Sequence, residues 1–235
     1  ASRSRHAQDG SVAGCPMSAL HHYIHSFVPA SGAKEGTPPL LLLPRTGGTE
    51  ATMIDMGRRL LPGAALLSLR GNVLEDGKPR FFARVARGEF DIEDFRTRTM
   101  QLAAFVGAAM QAYDIPAPIA VGHSNGANIA WSLIMYNSAV LAGAILYRPL
   151  MPIDPGWKGR ADGLPVLISA GNADIIAPVA KAEELAAFLA DRGADVTLNV
   201  ATAQHDLVAE DHDLARTWLA CKLFYRGNLT GRRAF

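Results

Sequence analysis

The chain has 235 residues, of which 49% are hydrophobic and 19% charged, enough for one large domain with a sizeable core. A formal net charge of +1 presents no basic face and argues against a nucleic-acid binder; Arg226, Arg232 and Arg233 read as a solvated tail. No apolar run reaches the length of a membrane span, and two distant cysteines, Cys15 and Cys221, make no disulfide framework and fit a reducing, cytoplasmic compartment.

Residues 1–18 are expected to form a flexible N-terminal tail, because Ala1–Gly14 is polar and lacks an apolar secretion core. One domain then spans 19–235, without a repeat or a linker. His22–Val28 reads as a strand, Ala30–Pro39 as a loop of small residues, and Leu40–Leu43 as a buried strand stopped by Pro44. Thr52–Leu61 has helical spacing, and Ala64–Leu69 is the next strand. Arg70–Asp91 is the longest irregular segment, read both as a pocket wall and as a surface loop pinned by Phe81 and Phe82. Ile92–Tyr113 is a long helix with an apolar stripe of Phe95, Leu102, Phe105 and Val106. A strand at Pro118–Val121 and a helix running to about Asn137 follow. Strands at Ala142–Tyr147, Val166–Ala170 and Val196–Ala201 alternate with helices at Val179–Arg192, which Gly193 stops, and Leu207–Phe224. This alternation predicts an α/β fold, a mostly parallel sheet with helices on both faces and its ligand site at the carboxyl ends of the strands.

Between the strand ending at Val121 and the helix after it stands Gly122-His123-Ser124-Asn125-Gly126. G-x-S-x-G between a strand and a helix is the setting of a nucleophile elbow. The turn needs small residues two before and two after the serine, and both are glycine. A serine hydroxyl is a poor nucleophile until a base takes its proton and an acid orients that base. In this architecture the acid and then the base follow on later loops. Asp174, after Val166–Ala170, fits the acid; His205, after Val196–Ala201, fits the base. Asp154 and Asp162 are second choices for the acid. His6, His21, His22 and His25 precede the serine. His123 is expected to point away from the hydroxyl, His212 to be an exposed helix residue, and Asp206 adjoins His205 without reaching its ring. For the oxyanion, Asn125 is expected to offer its backbone N–H, and Thr46, in the loop Pro44–Gly48, a second.

The chain resembles the α/β-hydrolase superfamily, and within it the small phospholipase/carboxylesterase and dienelactone-hydrolase-like serine esterases. The resemblance runs from about Leu40 to Leu219. It rests on Gly122–Ala130, Arg70–Glu75, Pro79–Phe82 and Arg148-Pro149-Leu150, which are similar to the subgroup containing bacterial hydroquinone-linked hydrolases. It implies an α/β-hydrolase fold and a Ser124–Asp174–His205 triad. It also implies Thr46 and Asn125 as oxyanion donors, no metal or other cofactor, and small-molecule esters or lactones as substrates. One departure stands out: Pro44-Arg45 occupies the place of the family's His-Gly, which puts the loop's path in question. Arg45 either projects into the pocket toward an acidic substrate group or, the favoured reading, faces solvent or pairs with a nearby acid such as Glu50 or Glu75. The short segment between Tyr147 and Leu164, with Met151, Pro152, Ile153 and Trp157, leaves little for a lid. Leu74, Phe81, Met151 and Ile176 are the expected apolar walls of an open pocket for short to medium acyl esters. An impaired binding module and an acyltransferase or lyase using the same triad are the rival readings. Small hydrolases of this kind often dimerise, so a homodimer is a further expectation.

Overall fold

The computed structural model describes residues 16–86, 88–151 and 156–230, and the side chains of 18–223 within them. Its centre is a seven-stranded sheet. The strands are β1 (His25–Val28), β2 (Leu40–Leu43), β3 (Leu66–Leu69), β8 (Ile119–His123), β9 (Gly143–Tyr147), β10 (Pro165–Gly171) and β11 (Asp195–Ala201). They lie side by side in the order β1-β3-β2-β8-β9-β10-β11. Only β1 runs antiparallel, pairing with β3 from His25↔Leu69 to Val28↔Leu66; the other pairs are parallel.

The run of leucines in β2 shows why a parallel strand needs no polar face. Side chains alternate across a sheet, and here both faces are covered. Leu41 and Leu43 enter a core built with Phe95, Phe105, Trp131, Ile134 and Leu185. These residues belong to α3 (Ile92–Ala112), α4 (Asn125–Asn137) and α5 (Val179–Asp191). Leu40 and Leu42 enter the opposite core with Met56, Leu60, Trp218 and Leu219, from α2 (Ile54–Leu60) and α6 (Ala209–Thr230). Truncating any of the four to alanine removes a fully buried side chain, a loss of about 2–5 kcal/mol. Among the described residues, no helix is long and apolar enough to cross a membrane.

The segment expected to be irregular folds into two hairpins instead. The first joins β4 (Val73–Glu75) to β5 (Lys78–Arg80), and the second β6 (Arg84–Ala86) to β7 (Glu89–Phe90). The first turns through Asp76 and Gly77, both at positive φ (50° and 72°), the backbone of a tight two-residue hairpin turn. The Asp-Gly pair was the available signal. Three residues per strand is too short for alternation to be read. At the amino end, α1 (Pro16–Ala19) makes one helical turn and Leu20–His22 a 3-10 turn, so β1 starts at His25 rather than His22. The rest of the expected tail, with Cys15, lies outside the described residues.

Candidate active site

Four loops at the carboxyl ends of adjacent strands converge here, after β2, β8, β10 and β11. Ser124 follows β8 directly and sits at φ 52°, ψ −113°, a region that non-glycine residues rarely occupy. Such strain costs about 1–3 kcal/mol and persists only where the surroundings enforce it. They do so here. Its N–H donates to Tyr147 O at 2.9 Å, and its carbonyl accepts from Asn128 N at 2.9 Å. A Cβ at Gly122 would lie 2.6 Å from the Ala127 backbone, and one at Gly126 would overlap the carbonyl of Leu43. The two glycines let the turn pack against both the helix and β2.

The loop after β10 supplies Asp174. Its Oδ1 accepts from Ile176 N at 2.8 Å and Ala177 N at 2.9 Å, which leaves Oδ2 aimed at His205 Nδ1, 2.7 Å away. The loop after β11 supplies His205, whose Nε2 lies 2.9 Å from Ser124 Oγ. Serine, imidazole and carboxylate, 81 and 31 residues apart in sequence, thus form one hydrogen-bonded line. Asp162 is drawn off by Arg160 at 2.6 Å on the surface, and Asp154 lies outside the described residues.

His123 is buried, and its Nε2 donates to the carbonyl of His205 at 3.1 Å. Burial pushes its pKa down to about 4, against the pull of that carbonyl, so the ring is neutral at neutral pH. His212 is a correction to the expected exposed residue: it is half-buried near Tyr147, and burial lowers its pKa.

Asn125, the residue after the serine, opens α4. Its side chain does something the sequence did not announce: Oδ1 accepts the buried N–H of Phe81 at 2.7 Å, tying the hairpin arm to the elbow. Phe81 is correspondingly not a pocket wall. It is 1% exposed and packs beside Tyr23 at a ring distance of 6.3 Å, because its backbone is pinned inward by Asn125. Leu74 is 72% exposed on β4, Ile176 is partly exposed two residues beyond Asp174, and Met151 is half-buried against the larger core. Thr46 lies in a turn closed by Gly48 N to Arg45 O at 2.9 Å and hung from the hairpin by Gly47 N to Pro79 O at 2.8 Å.

Arg45 pairs with an acid on the surface, as the favoured reading had it, and that acid is Asp206 rather than Glu50 or Glu75. Its Nη1 lies 2.5 Å from Asp206 Oδ1, with the two side chains 51% and 82% exposed. Glu50 is already held by Arg70 at 2.7 and 3.0 Å, and Glu75 by Arg80 and Arg84. The side-chain bond from Arg70 holds Glu50 below the usual carboxylate range despite its partial desolvation; for Glu75, burial pulls upward and the two guanidinium bonds outweigh it.

Known proteins share this arrangement of strands and loops. Residues 98–222, more than half of the chain, match the dienelactone hydrolase family. The chain belongs to that family. MhqD of Bacillus subtilis (strain 168), named as a hydrolase, is 42% identical over 181 residues, spanning 76% of this chain and 90% of its own. The crystal structure of the Bacillus cereus carboxylesterase superposes with a TM-score of 0.81 at 36% identity, over 87% of this chain and 98% of that one. A carboxylesterase from Mesorhizobium loti gives 0.79 at 28% identity, over 85% and 95%. The chain is thus a carboxylesterase-like hydrolase of the α/β-hydrolase fold.

Proposed function

We propose that this hydrolase is a serine carboxylesterase that cleaves short- to medium-chain acyl esters through an acyl-enzyme on Ser124. The observation that carries the reading is the unbroken line from Ser124 Oγ through His205 to Asp174, at 2.9 and 2.7 Å. His205 Nε2 takes the serine proton as the hydroxyl attacks the ester carbonyl. Asp174, fixed by two backbone N–H groups, keeps the other proton on Nδ1 and stabilises the imidazolium that forms. The tetrahedral oxyanion is received by the backbone N–H groups of Asn125 and Thr46, at the start of α4 and in the turn after β2. Losing one such donor costs about 3 kcal/mol in the transition state. The leaving alcohol takes the proton from His205, and water then repeats the sequence on the acyl-enzyme.

Leu74, Met151 and Ile176 are the proposed apolar walls. The exposure of Leu74 and Ile176 supports an open cleft, which favours modest acyl chains over long ones. The test is a series of p-nitrophenyl esters of increasing chain length, with Ser124→Ala as control and a phosphonate probe on the intact protein. The expected result is turnover of the shorter esters, labelling at Ser124, and a loss of about 10,000-fold or more in Ser124→Ala. Undiminished hydrolysis by Ser124→Ala would place the nucleophile elsewhere. No labelling of the intact protein at Ser124 would favour a binding module.

A further inference from the structure

We propose that Arg148 is a positioning residue for His205: its buried guanidinium, locked to Asp211, grips the peptide on both sides of the imidazole. The proposal rests on the triad reading above. Arg148 leaves β9 at φ 51° and is buried together with Asp211, both side chains fully. Its five N–H groups are all engaged. Nε donates to Gln204 O at 2.9 Å. Nη1 donates to Ser169 O at 3.1 Å and to Asp211 Oδ1 at 2.9 Å. Nη2 donates to Asp211 Oδ2 at 2.7 Å and to Asp206 O at 3.3 Å. Asp211 in turn accepts from Ser169 Oγ at 2.6 Å and from Val208 N at 2.9 Å, just ahead of α6.

The pattern along the loop is the telling part. The carbonyl of His205 itself accepts from His123. Three successive carbonyls, 204, 205 and 206, are therefore each held by a buried side chain from β8 or the end of β9. A buried ion pair on its own is weak support for a fold, because desolvation of both charges offsets their attraction. Directing two arms of a guanidinium to the peptides flanking one imidazole is an orienting arrangement. It needs the rigid planar fork of arginine, which lysine lacks. A misplacement of about 1 Å in a reacting group can cost about 100-fold in rate, which is the scale on which such a clamp acts.

Two variants test this. Arg148→Lys keeps the charge opposite Asp211 but loses the fork. Arg148→Met/Asp211→Leu removes both charges, so that no buried group is left unpaired. Each is checked for folding by its thermal melt, then assayed with p-nitrophenyl butyrate and by NMR for the downfield Nδ1–H resonance of His205. The expected result is a folded protein in which kcat falls about 100-fold while KM stays within about threefold, and the resonance is broadened or lost. Variants that fold and keep wild-type kcat and resonance overturn the proposal, as do variants that fail to fold, which would make the pair a fold element only. Ser124→Ala and His205→Ala run alongside: if they remain active, the triad reading fails, irrespective of Arg148.

Discussion

The serine elbow and the hairpin arm meet through one hydrogen bond, Phe81 N to Asn125 Oδ1, yet they are held in opposite ways. The elbow is fixed by contacts between backbone atoms of the turn and of the strands beside it, and by glycines that have no room for a Cβ. The arm has one such glycine, Gly71 against the Arg80 backbone, and is otherwise held by charged side chains and by single bonds to neighbouring segments. Gly47 reaches Pro79 O, Asp94 accepts from Ala83 N at 2.6 Å, and Glu75 gathers Arg80 and Arg84. A site assembled from both has a rigid centre and an adjustable rim. Nucleophile geometry tolerates no drift, whereas a substrate wall can vary without disturbing the chemistry.

The strongest way to break this contrast is Gly126→Ala. The added methyl would have to occupy the carbonyl of Leu43 in the central strand, and backbone cannot yield as a side chain can. A loss of at least about 3 kcal/mol is expected, with activity lost in whatever fraction folds. Thermal melts and ester turnover check both. A variant with the wild-type melt and rate would show that the elbow is as pliable as the arm.

His123 sharpens the same comparison through pH. It titrates near 6.5 in the unfolded chain and at about 4 when folded. Below about pH 6.5 the unfolded chain takes up a proton that the folded chain refuses. The contribution is therefore fully present above that pH and is lost as pH falls toward about 4, by about 3 kcal/mol across the window. His123→Gln keeps a donor for the carbonyl of His205 but cannot titrate. Denaturant melts at a series of pH values should show a shallower acid slope for this variant than for the wild type. Identical slopes would mean the ring is not held neutral.

On the arm, the matching glycine is Gly77. It has positive φ, but a Cβ there meets nothing within 4 Å. Gly77→Ala should cost only the conformational strain, about 1 kcal/mol, with ester turnover close to wild type. A loss as large as that of Gly126→Ala, read from the same melts, would erase the distinction between the two regions.

This distinction also decides what could be read from the residues alone. The parallel sheet, the glycine-flanked turn at Ser124 and the polar residues Asp174 and His205 that converge on it were legible because each leaves a local mark: an apolar run, a glycine spacing, a polar residue just past a strand. The helix bounds agreed closely, from Ile92 to Ala112 for α3 and Val179 to Asp191 for α5. The arm was opaque because its strands are two or three residues long and its tie to the elbow depends on a partner far away in sequence. Nothing near Phe81 signals that its N–H will be taken by Asn125, 44 residues on. Arg148 was visible only as part of a family-like Arg-Pro-Leu string; the acid that neutralises it lies 63 residues later, inside α6. The particular acid that Arg45 pairs with was hidden for the same reason. Glu50 and Glu75 were near in sequence, but both were already spoken for, and the partner came from the loop 161 residues away.

Asp206 carries the finest form of the comparison, because it is held twice. Its carbonyl accepts from the buried Arg148, and its carboxylate pairs with the exposed Arg45 of the turn after β2. Both contacts link His205 to a neighbouring loop, and they differ chiefly in solvent. An ion pair with side chains 51% and 82% exposed is screened and must hold two flexible chains in one geometry, so it is worth less than about 1 kcal/mol. Asp206→Asn removes the charge and leaves the carbonyl in place. Its melting temperature should move little, and its kcat for short esters should stay within about twofold of wild type. Raising the salt concentration should bring the wild type closer still to the variant. If Asp206→Asn lowered kcat as far as Arg148→Lys, the exposed strap rather than the buried clamp would be what keeps the imidazole in line.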